Sequence, residues 1–168
     1  CLTQGAGLAP VACLLAQWDR GPAAPPVVLL HRTEGSPSAP TPHHLWAELS
    51  GPAPGRQGAA GLDTARVLPS GATVVAYLRV VPSLRRFPEI CIGRVVTAPE
   101  VRGTGVGREL MQRGLALVHR LAGPVAIRIG AQARLERFYE EFGFVRASAD
   151  YEEDGIPHLE MLRAAPAA

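Results

Sequence analysis

The chain has 168 residues, a hydrophobic content of 47% and a formal net charge of +2. This length suits one domain with its own core, and no apolar run reaches the roughly 18 residues that a membrane-spanning helix needs. The small charge argues against a nucleic-acid partner, and the three cysteines show neither metal-ligand spacing nor a disulfide framework. We therefore expect a single small domain of the reducing cytoplasm, without a metal, nucleic-acid or membrane partner.

The N-terminal region, residues 1–65, differs in composition from the rest. Ten of the sixteen prolines fall within residues 1–70. Segments this rich in Pro, Gly and Ala rarely bury enough surface to offset the entropy of ordering them, so we expect an atypical and partly disordered region. Three local elements are predicted inside it: a helix over residues 8–18, a short strand from Val27 to Leu30, and a loop at His43 and His44.

Two strands are predicted next along the chain. Val74 to Val81 is rich in β-branched residues and follows a turn at Gly71. Glu89 to Thr97 is the second strand, and the Pro82–Pro88 loop joins the two as an antiparallel pair. The β-branched run then stops at Pro99.

A glycine-rich turn, Arg102 to Gly107, opens the following helix. Glycine lets the backbone approach a ligand closely, and the first N–H groups of a helix lack intrahelical partners at the positive end of its dipole. The turn therefore predicts a phosphate or pyrophosphate site, with a plain glycine-rich connection as the alternative. A dinucleotide fingerprint is excluded because Arg108 or Leu110 stands where its last glycine belongs, and a P-loop is excluded because the chain has no lysine.

The helix is predicted from about Gly105 to Leu121 and is closed by Gly123 and Pro124. Its apolar face carries residues at helical spacing: Val106, Leu110, Leu117, Val118 and Leu121. The elements predicted after it are a strand over Val125 to Ile129, a helix from about Gln132 to Phe142 that ends at Gly143, and a final strand pair, Phe144 to Arg146 and His158 to Arg163, around an Asp154-Gly155 turn.

Three motifs, in this order, resemble the signatures of the GCN5-related N-acetyltransferases. They are the Arg102–Gly107 turn, the stretch Ile129–Phe144 with its Phe-Tyr and Gly-Phe pairs, and Tyr151–His158, which is similar to the ElaA-like branch. The resemblance covers about residues 66–163 and leaves 164–168 as a tail. It implies the α/β fold of acyl-CoA N-acyltransferases, with a mixed, mainly antiparallel sheet flanked by helices.

The same resemblance implies acetyl-CoA as cosubstrate. In the family, the strand at the position of Val95 and Val96 pairs with the pantetheine arm, and the glycine turn holds the pyrophosphate. Arg102 and Arg108 are expected near phosphate oxygens, with solvated surface positions as the alternative. The expected cofactor-binding residues are Val95, Val96, Arg102, Gly103, Thr104, Gly105, Val106, Gly107 and Arg108.

Catalytic roles also follow from the resemblance. Tyr139 is the expected general acid, since a phenol is protonated at neutral pH and donates to a departing thiolate; a packed helix tyrosine is the alternative. Glu89 is the expected base, acting directly or through a water molecule. The alternatives are an ordinary strand-end carboxylate and a reaction without a protein base. Glu152 and Asp154 are expected to bind the acceptor, with a solvated acidic turn as the alternative. His158 is expected to contact the acceptor or to act as a base, with a structural strand histidine as the alternative.

The N-terminal helices of ElaA-like proteins usually carry a Val-Glu-Gln segment and a nearby Asp-Gly. The first is absent here, and Gly61 to Thr64 is at most a remnant of the second.

The function that the resemblance implies is acetyl transfer from acetyl-CoA to a primary amine of an unknown small molecule or protein. The alternative is a catalytically impaired acyl-CoA-binding protein that lacks a complete acceptor site. A non-functional or mistranslated product and a homodimeric state both remain open.

Overall fold

The computed structural model describes residues 13–18, 27–33, 42–49, 73–82 and 87–166. These residues form nine strands, two α-helices and two 3₁₀ turns, the latter at Pro99–Val101 and Ala133–Leu135. The helices are α1 (Val106–Ala122) and α2 (Glu136–Glu140). The strands are β1 (Cys13–Trp18), β2 (Val27–Thr33), β3 (His43–Leu49), β4 (Thr73–Val81), β5 (Ile90–Thr97), β6 (Ile127–Gln132), β7 (Val145–Arg146), β8 (Tyr151–Glu153) and β9 (Ile156–Arg163).

The chain divides into two compact units and passes from one to the other within β4, β5 and α1. The first unit comprises Cys1–Arg79 and Arg94–Met111. The second comprises Val80–Gly93 and Gln112–Ala168.

In the first unit, β1 to β4 are neighbours in chain order. The β2–β3 pairing is antiparallel and regular from Val27 opposite Leu49 to Thr33 opposite His43. Strand β3 alternates strictly, because Leu45, Ala47 and Leu49 are buried while the residues between them are only partly covered. The partly covered face carries two side-chain hydrogen bonds, from Trp46 Nε1 to Glu48 and between His44 and Tyr77 of β4.

In the second unit, β6 pairs in parallel with the start of β5, from Ile90 opposite Ile127 to Ile92 opposite Ile129. A parallel pair needs a crossover connection, and α1 lies between these two strands in the chain. Strands β6, β7 and β8 all pair antiparallel with β9. The buried residues here include Ile92, Leu117, Ile127, Ile129, Phe144, Leu159 and Met161. The predicted α/β fold with a mixed, mainly antiparallel sheet and flanking helices is confirmed.

Most predicted elements of the second half are confirmed with small shifts. Helix α1 begins at Val106, and Gly123, at a φ of 74°, ends it with a hydrogen bond from its N–H to His119 O. Leu121 was expected on the apolar face but is 48% exposed, because it lies in the last turn. The predicted second helix is shorter than expected, since its start, Ala133–Leu135, is a 3₁₀ turn. Gly143 adopts the predicted left-handed conformation, with a φ of 82°.

Two predictions for the N-terminal region are wrong. A helix was predicted over residues 8–18, but Cys13–Trp18 is a strand paired with β2, and the remainder of that prediction lies outside the described residues. His43 and His44 were predicted in a loop but begin β3. The strand predicted from Val27 is confirmed and extends to Thr33. Gly61 to Thr64 lie outside the described residues.

Candidate active site

The glycine turn lies in the first unit, between β5 and α1. The 3₁₀ turn Pro99–Val101 comes first, and the N–H of Arg102 closes it with a 3.2 Å hydrogen bond to Pro99 O. The hydroxyl of Thr104 donates to Val101 O over 2.7 Å. Gly103 and Gly105 have φ values of 75° and 89°, which glycine adopts without a steric penalty. These bonds hold the turn in one shape directly before the helix.

Some side chains of this turn are buried in the core, and others are exposed. Val101 and Val106 are each 1% exposed and fix both ends of the turn in the core. Arg102, Thr104 and Arg108 are exposed, and Arg102 Nε donates to Thr97 O over 3.3 Å. The turn therefore presents backbone N–H groups, a helix N-terminus and two arginines on one short segment, which is the chemistry that a phosphate group requires.

Strand β5 carries a conformational irregularity just before the predicted pantetheine-pairing residues. Arg94 has a φ of 53°, a value that few non-glycine residues adopt and that marks a kink in an extended strand. Val95 follows as a half-buried residue, and Val96 is 48% exposed. Beyond the strand, Ala98 N donates to Val75 O of β4 over 2.8 Å. Residues 94–108 thus bring all nine predicted cofactor-binding residues into one segment of the first unit.

Tyr139 lies in the second unit, on α2. It is 5% exposed and packs edge-on against Phe138 and Phe144, with ring centroids 5.1 Å and 6.3 Å away. Burial disfavours the phenolate and raises the pKa of Tyr139 to about 12. The chain turns after it at Gly143, whose N–H donates a hydrogen bond to Glu140 O. Arg163 Nε stabilises the same turn by donating a 2.9 Å hydrogen bond to Phe142 O. The Tyr139 side chain is therefore held firmly and stays protonated at neutral pH.

Glu89 precedes β5 and forms an ion pair that the sequence did not indicate. Arg128 of β6 donates to both of its carboxylate oxygens, from Nε over 3.0 Å and from Nη2 over 2.8 Å. The remaining Arg128 nitrogen bonds Glu160 of β9 at 3.0 Å, and the Phe87 ring lies 5.0 Å from the guanidinium carbon. The hydrogen bonds from Arg128 lower the pKa of Glu89. Such a carboxylate is stabilised in its charged form and is a weak base.

The predicted acceptor residues lie on the β8–β9 hairpin of the second unit. Glu153 pairs with Ile156, so the loop consists of Asp154 and Gly155, with φ values of 53° and 73°. Asp-Gly is a favoured pair for such a two-residue loop. Glu152 and Asp154 are exposed near the tip, whereas His158 is partly covered on β9, opposite Tyr151. The structure thus separates the two carboxylates from the histidine along the hairpin.

Two negative observations apply to the described part of the chain. Among those residues, no group of three or more His, Cys, Asp or Glu side chains is arranged to hold a metal ion. The helices described there are too short or too polar to cross a membrane.

The fold and the glycine turn define an acyltransferase domain of the GNAT class. The sequence profile of the family described as "Acetyltransferase (GNAT) domain" matches residues 70–164, more than half of the chain. The chain belongs to this family, and its similarity to ElaA and the UPF0039 proteins places it in the ElaA-like branch.

Two relatives and two solved structures illustrate this similarity. Escherichia coli ElaA is 40% identical over 90 residues, which are 54% of this chain and 59% of ElaA. A UPF0039 protein of Synechocystis is 37% identical over 93 residues, 55% of this chain and 60% of that protein. The crystal structure of an acyl-CoA N-acyltransferase from Pseudomonas aeruginosa superposes with a TM-score of 0.56 and 35% identity, covering 74% of this chain and 69% of that one. The crystal structure of E. coli ElaA superposes with a TM-score of 0.54 and 30% identity, covering 73% of this chain and 68% of that one.

The match to the curated relatives spans about three fifths of their length. It confirms the predicted family and the acyl-CoA N-acyltransferase fold. Acyl transfer from acyl-CoA is the general chemistry of this family.

Proposed function

We propose that this protein transfers an acetyl group from acetyl-CoA to a primary amine of a small molecule or a protein. The observation that carries the proposal is the anchored turn from Arg102 to Gly107, with left-handed glycines at 103 and 105, directly before α1. A pyrophosphate is favoured at such a place, because unpaired N–H groups and the helix dipole both stabilise negative charge.

The donor side of the proposed site lies on residues 94–108. The Gly103–Gly107 backbone and the Arg102 and Arg108 side chains hold the pyrophosphate, and the strand at Val95 and Val96 pairs with the pantetheine arm. One N–H of this strand polarises the thioester carbonyl, an interaction typically worth a few kcal/mol of the barrier. The exposure of Val96, two residues after the kink at Arg94, supports this assignment.

The transfer requires a neutral amine, a stabilised oxyanion and a proton for the leaving thiolate. The amine nitrogen bonds to the carbonyl carbon, the carbon–sulfur bond breaks, and Tyr139 donates its phenolic proton to the sulfur. The raised pKa of Tyr139 supports this role, because the phenol carries its proton throughout the neutral range. Glu152 and Asp154 attract the cationic acceptor, and His158 contacts it. We place this reaction in the cytoplasm.

A thiol-release assay tests the proposal. Purified protein is mixed with acetyl-CoA and a panel that contains a polyamine, an amino acid and a lysine peptide, and free CoA is measured with a thiol reagent. The chain contains three cysteines, whose thiols react with the same reagent, so a reaction without amine provides the background. Release that depends on an amine supports the proposal. Binding of acetyl-CoA with no release by any amine supports the impaired, acyl-CoA-binding alternative instead.

A further inference from the structure

The side chain of Arg79, on β4 in the first unit, has a buried donor without a hydrogen-bond partner. The residue as a whole is partly covered, but its Nε is buried, and no group among the described residues accepts a hydrogen bond from it. Buried polar groups are almost always hydrogen-bonded, because an unsatisfied one destabilises the fold. Such an atom therefore calls for an explanation, and recognition of a ligand is one.

Two other arginines of this protein show what the same edge of a guanidinium binds. Arg128 donates from Nε and Nη2 to the two carboxylate oxygens of Glu89. Arg146 uses the same two nitrogens on the carboxylate of Glu136. This edge of arginine is planar and matches the two oxygens of a carboxylate through parallel hydrogen bonds. A carboxylate is therefore the group that suits the unsatisfied Nε of Arg79.

Within the part of the first unit that the structure describes, no carboxylate of the chain serves this donor. Glu48 of β3 accepts a 2.6 Å hydrogen bond from Trp46 instead. Glu100, in the turn after β5, has one buried oxygen that also lacks a hydrogen bond. Tyr77 precedes Arg79 by two residues on the same face of β4, and its hydroxyl is hydrogen-bonded to a residue of β3. The unsatisfied Nε therefore indicates a ligand.

Arg79 lies in the same unit as the proposed acetyl-CoA segment, on the strand next to it. Strands β4 and β5 are neighbours in the sheet, and only residues 82–89 join them, a connection too short for a parallel pair. Ala98 N donates to Val75 O over 2.8 Å, so the residues before Ala98 run alongside those after Val75. This register places Arg79 beside the part of β5 at residues 94–96, where the pantetheine arm is proposed to pair.

We propose that Arg79 binds a carboxylate of the acceptor, which assigns the acceptor to the amines that also carry a carboxylate, such as free amino acids. This inference rests on the proposed amine acetylation and names its substrate class. Arg79 positions the acceptor and takes no part in making or breaking bonds. The pyrophosphate of acetyl-CoA is not its partner, because the Arg102–Gly107 turn lies beyond the contact between Val75 and Ala98, at the other end of this stretch of β4.

The test compares matched acceptors in the thiol-release assay: glycine, phenylalanine and lysine, each against its own carboxamide. The two members of a pair carry the same amine and differ in the carboxylate. The ammonium of the carboxamide loses its proton more easily, so the intrinsic chemistry favours the carboxamide. The proposal predicts the opposite preference, with a wild-type kcat/KM roughly tenfold higher for the amino acid than for its carboxamide.

Arg79→Met removes the charge and keeps an unbranched side chain. KM for the amino acids is expected to rise about tenfold, while kcat and the KM for the carboxamides stay close to the wild-type values. Tm should stay the same or rise, because an apolar group replaces an unsatisfied donor. Arg79→Lys keeps the charge without the paired donors and should recover part of the preference. Arg120→Met, on the exposed last turn of α1, is the matched control and keeps the wild-type values.

The proposal is overturned if Arg79→Met changes KM equally for the amino acids and their carboxamides, or if it lowers Tm and affects both kinds of acceptor alike. It is also overturned if the variant loses affinity for CoA but not for dephospho-CoA, because the 3′-phosphate of CoA would then be the anion that Arg79 binds.

Calorimetric titration of the CoA-saturated protein with the three amino acids provides a readout that does not depend on turnover. The proposal predicts binding to the wild type that is about tenfold weaker in Arg79→Met. Absence of release from the wild type with every amine refutes the proposed function. The carboxylate site is judged separately by the titration: weaker binding in Arg79→Met supports it, and equal binding by both proteins, or none by the wild type, overturns it.

Discussion

Arg128 donates two hydrogen bonds to Glu89, one to each carboxylate oxygen, although the two residues lie 39 positions apart in the sequence. The pair is only 17% exposed on either side, and Glu160 and the Phe87 ring complete the surroundings of the guanidinium. This arrangement ties the residue before β5 to β6 and β9 within the second unit. The observed role of Glu89 is therefore to hold these strands together.

Replacing Arg128 with glutamine is expected to destabilise the protein. Three charge-assisted hydrogen bonds are lost and two carboxylates remain without their cation, so we expect Tm to fall by about 5 °C. Arg146→Gln is the matched control, because Arg146 also binds two carboxylates, Glu136 and Asp150, but is 43% exposed. Such exposed pairs contribute little. Equal losses of Tm in the two variants would contradict the structural role of Arg128.

The Glu89–Arg128 pair also predicts a pH dependence. The pKa of Glu89 is lower in the folded protein than its ordinary value of 4.5, so the unfolded chain binds the proton more readily. The pair therefore stabilises the fold above pH 4.5, and this contribution is lost as the pH falls through the folded-state pKa. Denaturant unfolding measured from pH 7 to pH 3 should show that the free energy of unfolding falls less in Glu89→Gln than in the wild type.

Tyr139→Phe is expected to lower kcat by about 10²-fold, because the proposed general acid is removed. The Kd for acetyl-CoA should stay the same, since the ring and its packing against Phe138 and Phe144 remain. Because the pKa of Tyr139 is about 12, wild-type activity should show no alkaline loss from this group at pH 10. Tyr77→Phe, which removes the hydroxyl of a tyrosine on β4, is the control variant for this substitution. A Tyr139→Phe enzyme with full kcat would contradict the assignment.

Gly103→Ala is expected to weaken acetyl-CoA binding about tenfold, an effect of about 1.4 kcal/mol. The φ of 75° at Gly103 is strained for alanine, and a distorted turn misplaces the N–H groups that we propose to contact the pyrophosphate. Gly123→Ala is closely matched, since its φ is 74° and neither new Cβ has an atom within 4 Å. Both variants should lose similar stability in thermal unfolding. Equal Kd values for the two variants would argue against the glycine turn as the binding site.

Much of the second half of the fold could be predicted from the sequence, because its patterns are local. Helical spacing over α1, the glycine at residue 123 and the Asp154-Gly155 pair each specify a structure within a few residues. The N-terminal strands were harder to predict. A short apolar run such as Cys13–Trp18 fits a strand or a helix equally well, and only its pairing with β2 decides. In β3, the alternation of Leu45, Ala47 and Leu49 was a usable signal that the neighbouring prolines obscured.

The residues of the candidate site also differ in whether the sequence alone could predict them. The turn from Arg102 to Gly107 is contiguous, so its residues could be named from sequence alone. The partners of Glu89 could not, because Arg128 and Glu160 come from strands paired across the sheet. The one available signal was the position of Arg128 between Ile127 and Ile129, which marks the opposite face of a half-buried strand.

The measurement that tests the central claim most directly is a calorimetric titration of the purified chain with acetyl-CoA, with ATP and NAD as controls. The account predicts saturable, one-to-one binding of acetyl-CoA with a Kd on the order of micromolar, and clearly weaker binding of the two nucleotides. A folded protein that gives no heat with acetyl-CoA, or that binds all three ligands alike, would contradict it.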